Sequence, residues 1–177
     1  MMGNQVLVQL IGFIAFLFIV LSFQNNKRSL ILLFLIIAQT SFVIHFGLLG
    51  AWTAVAMNAI SAIRTYVFHQ RDIKGWANNR IWFYLFLALF WIAGFIVWEG
   101  SYSLFPILAM TAETIGLWME KTRHIRLLNL IPRPLWFTYN LIVGSYAGMI
   151  TEIFVFSSIL IGIFRFDVFK ARRGARL

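Results

Sequence analysis

The sequence predicts an all-α membrane protein: seven transmembrane helices arranged as two parallel triple-helix bundles joined by a linker helix. Three observations predict it. Apolar content is far above that of a soluble domain, Lys and Arg are distributed one-sidedly, and the pattern of loops repeats once along the chain. Of 177 residues, 61% are hydrophobic and 12% charged, with a mean hydropathy of +0.84, against roughly 45–50% apolar residues in a soluble domain. A water-soluble fold of this length needs more polar side chains for its outer faces than the chain holds, whereas lipid accepts apolar faces as they are.

A helix needs about 20 apolar residues to cross the hydrocarbon, with about 17 as a working minimum. The first segment, 5–23, is read as a retained helix, because its first positive charges, Lys27 and Arg28, follow it and a signal peptide carries them in front. A basic turn, "QNNKRS", leads to the second segment at 30–47, and a tight uncharged turn, "GLLGA", to the third at 51–68. The fourth, 81–98, is aliphatic and Phe-rich with Trp91 near its centre. The fifth, 103–120, precedes a second basic turn, "KTRHIR". The sixth, 128–144, carries Pro132, Arg133 and Pro134 at its start, where a first helical turn tolerates proline. A second uncharged turn, "VGSYAG", opens the seventh at 147–165.

With the N-terminus outside, segments 24–29, 69–80, 121–133 and the tail from 165 hold every Lys and Arg except Arg64. Arg64 lies about one turn from the inner end of the third helix and is expected to snorkel to the interface. Glu99 is the one acidic group of the outer loops. This bias places the N-terminus outside and the C-terminus in the cytoplasm. It also explains the formal charge of +9 as a matter of topology in a lipid bilayer, with no nucleic-acid partner. Trp52, Trp76, Trp82, Trp98 and Trp118 fall near helix ends, where interfacial anchors belong. The absence of cysteine removes disulfides, thiolate metal sites and thiol nucleophiles.

The loop pattern divides the chain into a first triple-helix bundle (1–69), a loop with linker helix (70–100), a second bundle (101–166) and a basic tail (167–177). Three helices are an odd number, so one extra crossing is needed to keep the two bundles parallel, and the fourth helix supplies it. An offset of 94 sets Gly50 on Gly144 and Asn58 on Glu152; an offset of 95 sets Phe42 on Phe137 and His45 on Asn140. Weak internal symmetry about a midplane site is a transporter signature.

The runs "HFGLLGAWTAVAMNAISAIRT" and "WFTYNLIVGSYAGMITEIF" resemble the two motif regions of the YgjV-type bacterial inner-membrane proteins, and "IGFIAFLFIVLSFQ" is similar to that family's first helix. In helix pattern that family is similar to the SWEET and PQ-loop transporters. The resemblance implies a 3+1+3 SWEET-like fold in a bacterial inner membrane and a small polar solute, with sugars a candidate class, moved by alternating access. No Pro-Gln pair is present and only Pro106 lies in a first-of-bundle helix, so proline-hinged gating is not carried over.

Polar groups inside a membrane are costly and mark function or interhelical hydrogen bonds. Asn58 and Glu152, on helices expected to face each other across the pseudo-two-fold, are candidate solute contacts. Glu113 is a candidate proton site; His45, near a helix end, is more often a packed or capping group than a functional one, and if functional it lines an outer vestibule with Asn140 and Tyr139. Gln9 and Gln39 are read as packing contacts. No paired intramembrane aspartates, G-x-S-x-G elbow or H-E-x-x-H motif occurs, so neither an enzyme nor a cofactor or metal site is expected. The alternative is a non-transporting membrane scaffold in which these groups satisfy one another; the oligomeric state, including a homo-oligomer, stays open.

Overall fold

The computed structural model describes residues 2–23, 28–71, 73–119 and 122–164. The basic tail at 167–177, together with Lys27, Asp72, Lys121 and Arg165, lies outside the described residues. The described chain is helical, with no strand. It runs α1 (Met2–Phe23), α2 (Arg28–Leu49), α3 (Trp52–Gln70), α4 (Ile81–Ile96), α5 (Leu104–Trp118), α6 (Thr122–Leu130), α7 (Pro132–Ile142) and α8 (Tyr146–Gly162). Single 3₁₀ turns at Gly75–Ala77 and Ser101–Ser103 lead into α4 and α5.

The 22 residues of α1 reach about 33 Å at ~1.5 Å per residue, enough for about 30 Å of hydrocarbon. Among the described residues its stretch Gln5–Ser22, with mean hydropathy 2.4, is the one long and apolar enough to cross a membrane by itself. Shorter apolar stretches follow at Leu33–Leu49, Ile81–Ile96 and Tyr146–Gly162.

The sixth segment departs most from expectation. Residues 128–144 do not form one helix, and most of the basic loop expected at 121–133 is itself helical, as α6. The prolines are the cause: without an N–H, Pro132 and Pro134 take the helical donors away from the carbonyls of Leu128 and Leu130. Ile131 N turns back to Leu128 O at 3.3 Å, and Arg133 Nε donates to Asn129 O at 3.2 Å. The helix is interrupted at Ile131 and restarts with proline in the first turn of α7.

Packing closes a circuit. α2 lies between α1 and α3, α7 lies between α5 and α8, α3 packs on α5, and α1 packs on α8. α4 packs on α3 and α5. At its contact with α5, Gly94 is pressed so closely on Ile107 that a side chain there has no room. Gly12 plays the same part in the α1–α8 seam: a Cβ there would lie 2.7 Å from Ala147 Cβ and 2.8 Å from the His45 ring. Aromatic and aliphatic side chains such as Phe86, Phe90, Ile107 and Met57 fill the interior. The outer surface is also apolar, with Leu7, Leu17, Ile44, Ile92, Ile153 and Ile161 all exposed, as a lipid-facing surface requires.

Two turns share one geometry. Gly50 and Gly144 both have φ +72° with open space around the missing Cβ, so glycine is required for its left-handed backbone alone. Ala51 N donates to Phe46 O at 2.9 Å, and Ser145 N to Asn140 O at 2.9 Å. One turn later, Val55 N bonds Ala51 O at 3.1 Å and Met149 N bonds Ser145 O at 3.0 Å. Every member of these pairs is 94 residues from its counterpart. The single register carries back into α2 and α7, setting His45 against Tyr139 and Phe46 against Asn140, and it replaces the separate offset of 95 expected for those two helices.

Candidate functional site

Helices α1, α2, α3, α5, α7 and α8 surround a cavity of about 100 Å³, to which α4 contributes no side chain. That is room for roughly three waters at ~30 Å³ each. Asn58 from α3, Glu113 from α5, Asn140 from α7 and Glu152 from α8 all line it. His45 and Tyr139 do not.

The floor of the cavity is ionic. Arg133 donates from Nη1 to Glu152 Oε2 at 3.0 Å and from Nη2 to Glu113 Oε1. Arg64 donates from Nη2 to the other Glu113 oxygen, Oε2, at 3.2 Å, and from Nη1 to Thr114 Oγ1 at 2.7 Å. Its guanidinium also lies 5.2 Å from the centroid of the Phe90 ring, within cation–π range. With all four ionised, the formal charges sum to zero. Two sequence readings are corrected here. Arg64 does not snorkel to an interface but is 1% exposed, and Arg133, read as a cytoplasmic loop charge, is 8% exposed. Burial of each guanidinium is tolerable because a carboxylate lies against it; an unpaired charge in the same place would be expensive.

The cavity wall inherits the repeat. Three pairs of lining residues stand 94 positions apart, one across α1 and α5 and two across α2 and α7: Ile19 with Glu113, Gln39 with Arg133 and Phe42 with Trp136. The same spacing joins Phe46 with Asn140, Asn58 with Glu152 and Ser61 with Val155. Matching backbone positions thus carry unmatched chemistry: every charged residue of these pairs belongs to the second half of the chain. This register was the signal that could have found Arg133 and Gln39, since both fall on it.

The amides are held differently. Asn58 Nδ2 donates to Ala54 O at 2.9 Å within its own helix. Gln39 Nε2 donates to Thr65 Oγ1 at 3.2 Å. Gln39 Oε1 and Asn140 Oδ1 are buried without a hydrogen-bond partner. Asn140 lies against Gly148, where a Cβ would come within 2.6 Å of the amide. Beside them Phe46 stacks on Phe42, with centroids 5.6 Å apart, and on Trp136 at 6.1 Å.

His45 and Tyr139 are each fully buried and line no vestibule; of the two readings of His45, the packed, cap-supporting one is what the structure holds. His45 Nδ1 is 2.8 Å from Val8 O, a group that can only accept, so Nδ1 carries the proton. Nε2 lies 2.7 Å from Ser145 Oγ, which also accepts from Gly148 N at 3.1 Å and caps α8. Gln9 reinforces the same place, donating to Gly144 O at 2.9 Å and accepting from Ala147 N at 3.3 Å. These bonds tie α1 and α2 to the head of α8. Tyr139 donates to Glu99 Oε2 at 3.5 Å. Glu99 in turn accepts from Trp52 N at 3.0 Å and Thr53 N at 2.9 Å, placing its negative charge at the start of α3, where the helix dipole favours it. The sequence identified Glu99 only as an isolated loop carboxylate.

Among the described residues, no three His, Asp or Glu side chains cluster as metal ligands would. A family model described as a bacterial inner membrane protein, Imp-YgjV, matches residues 6–170. No curated protein and no solved structure matches the chain.

Proposed function

The chain belongs to the YgjV family of bacterial inner membrane proteins, and from that premise we propose that it carries a small polar solute across the membrane by alternating access. One observation carries the reading: one cavity, ringed by six helices and lined at repeat-related positions, is lined by both Asn58 and Glu152 and by the buried Arg133–Glu152 ion pair. Ion pairs and amides around a midplane space at the junction of two repeats are the common ground plan of secondary transporters.

On this reading α1–α3 and α5, α7 and α8 are two parallel triple-helix bundles, α4 is the linker, and α6 lies at the cytoplasmic side. The helix pattern is that of the SWEET and PQ-loop group. Support comes from the packing of α2 and α7 as middle helices, and from α4 bridging α3 and α5. The twin glycine turns also support it. The N-terminus is outside and the C-terminus in the cytoplasm. α3 and α8 face each other across the cavity, as opposite members of the six-helix circuit, and Glu113 is the proton site if transport is proton-coupled. At about 100 Å³ the space suits a solute of a few heavy atoms; a monosaccharide needs it to widen.

Uptake into proteoliposomes, screened over sugars, polyols, amides, amino acids and small cations, tests the proposal. Accelerated uptake of one solute, lost in Asn58→Ala and Glu152→Gln proteins that remain monodisperse, is the expected result. Equal flux from all three proteins would refute the site assignment. The second reading, a membrane scaffold, draws on the mutual pairing of Arg64, Glu113, Arg133 and Glu152; it predicts no uptake, with both variants altering stability alone.

A further inference from the structure

We infer that the solute is uncharged and donates hydrogen bonds, and that Gln39 and Asn140 receive them; this rests on the transport reading of the same cavity. Charge balance is the first argument. With all four side chains ionised, two arginines and two glutamates cancel, and a monocation or monoanion entering the cavity would then leave a unit charge uncompensated at membrane depth. An uncharged solute leaves the balance intact.

The unused polar atoms supply the second argument. Gln39 Oε1 and Asn140 Oδ1 are buried acceptors with no donor, on two residues that both face this cavity. Buried polar atoms in native proteins are almost always satisfied; the two oxygens lie in the wall, shut off from water, so the missing donors are assigned to an occupant whose entry turns these amides into the widened cavity. The donors of Arg133 are already engaged, with Nη1 on Glu152, Nη2 on Glu113 and Nε on Asn129 O. A carboxylate entering the cavity would have to share this guanidinium with Glu113 and Glu152, two carboxylates already in place, which disfavours amino acids as well as simple anions. The third argument is shape. The two acceptors sit on α2 and α7, the middle helices of the two halves, beside the stacked Phe42, Phe46 and Trp136, whose faces accept a planar or apolar flank. Small amides, ureas and short alcohols meet all three conditions.

The test uses the full-length protein in liposomes, with urea, acetamide and glycerol as neutral probes and methylammonium and acetate as charged ones, each corrected for protein-free vesicles. Faster uptake of at least one neutral probe, equal at zero and at inside-negative membrane potential, is expected. Gln39→Met and Asn140→Leu should each raise its half-saturating concentration about tenfold, the worth of one hydrogen bond in a dry site. Tm and elution profile in detergent confirm that the variants fold, and the charge comparison needs the parent protein alone. Potential-driven uptake of methylammonium or acetate that Glu152→Gln abolishes would overturn this inference and leave the transport reading standing. Uptake of none of the five probes, combined with none in the wider screen, would overturn both. Neutral uptake unchanged in both variants would remove Gln39 and Asn140 from the site.

Discussion

Gln39 and Arg133 occupy equivalent places on the cavity wall, 94 residues apart in the two halves of the chain, yet one is a neutral amide and the other a guanidinium gripped by two carboxylates. Both carboxylates belong to the guanidinium's own half. The ionic floor is therefore almost self-contained, with Arg64 its single contribution from the first half.

Removing Arg133 alone should be worse than removing it together with a partner. Arg133→Met leaves Glu152 without its cation and should cost about 3–5 kcal/mol, whereas an ion pair replaced on both sides by apolar groups is often near neutral. Thermal unfolding in detergent of Arg133→Met, Glu152→Met and the double variant checks this. The double variant should unfold at a higher temperature than Arg133→Met; additive losses would show that pairing is not what holds these side chains.

The twin turns make a matched prediction. At Gly50 and Gly144 nothing crowds an added Cβ, so Gly50→Ala and Gly144→Ala differ from the parent only through a positive φ. Each should cost about 1–2 kcal/mol, and the two losses should agree. A large disparity in Tm would mean that the two turns are not mechanically equivalent.

Gly12→Ala should hurt for the opposite reason. There the obstacle is neighbours, Ala147 and the His45 ring, and forcing a methyl into a packed seam costs about 1–3 kcal/mol. Spacing α1 from α8 also pulls Val8 O away from His45, so amide exchange at Gly148 and Met149 should accelerate. Unchanged exchange would uncouple the seam from the α8 cap.

Glu99→Ala removes the only side-chain acceptor shown for Trp52 N and Thr53 N. Loss of such a cap costs about 1 kcal/mol. Glu99→Gln keeps an oxygen but loses the charge at the helix start and should cost less. Equal losses would assign the whole effect to charge.

Orientation has its own test. The chain contains no cysteine, so single cysteines report without background. Tyr146→Cys at the exposed head of α8 should react with an impermeant maleimide added to intact spheroplasts, and His124→Cys on exposed α6 only after lysis. The reverse pattern would invert the proposed topology.

The helices and the register were largely legible in the sequence because both are periodic: apolar runs announce length, and Gly50 and Gly144 repeat a turn. What stayed hidden depends on pairing across distant segments. Counting Lys and Arg as interface markers is sound statistically, but it put Arg64 and Arg133 at membrane edges, because nothing local shows that Glu113 lies between them. Gln39 reads as a packing contact in the sequence because one intramembrane amide looks like another until a cavity distinguishes them. Glu99 reads as a loop residue until the start of α3 is seen beside it. The break at Ile131 is half visible in the sequence: Pro132 and Pro134 mark a helix start, but nothing local shows that the basic stretch before them is also helical, as α6.

The unequal halves of an equal frame have one more effect. Between two identical walls a small molecule would lie either way round, and a carrier built so would have no sense of head or tail. Here one flank carries Gln39 with the rings of Phe42 and Phe46, and the other an ion-paired lattice. If the proposed transport holds, a guest would be kept in one pose and would leave on the far side with the same end leading each time.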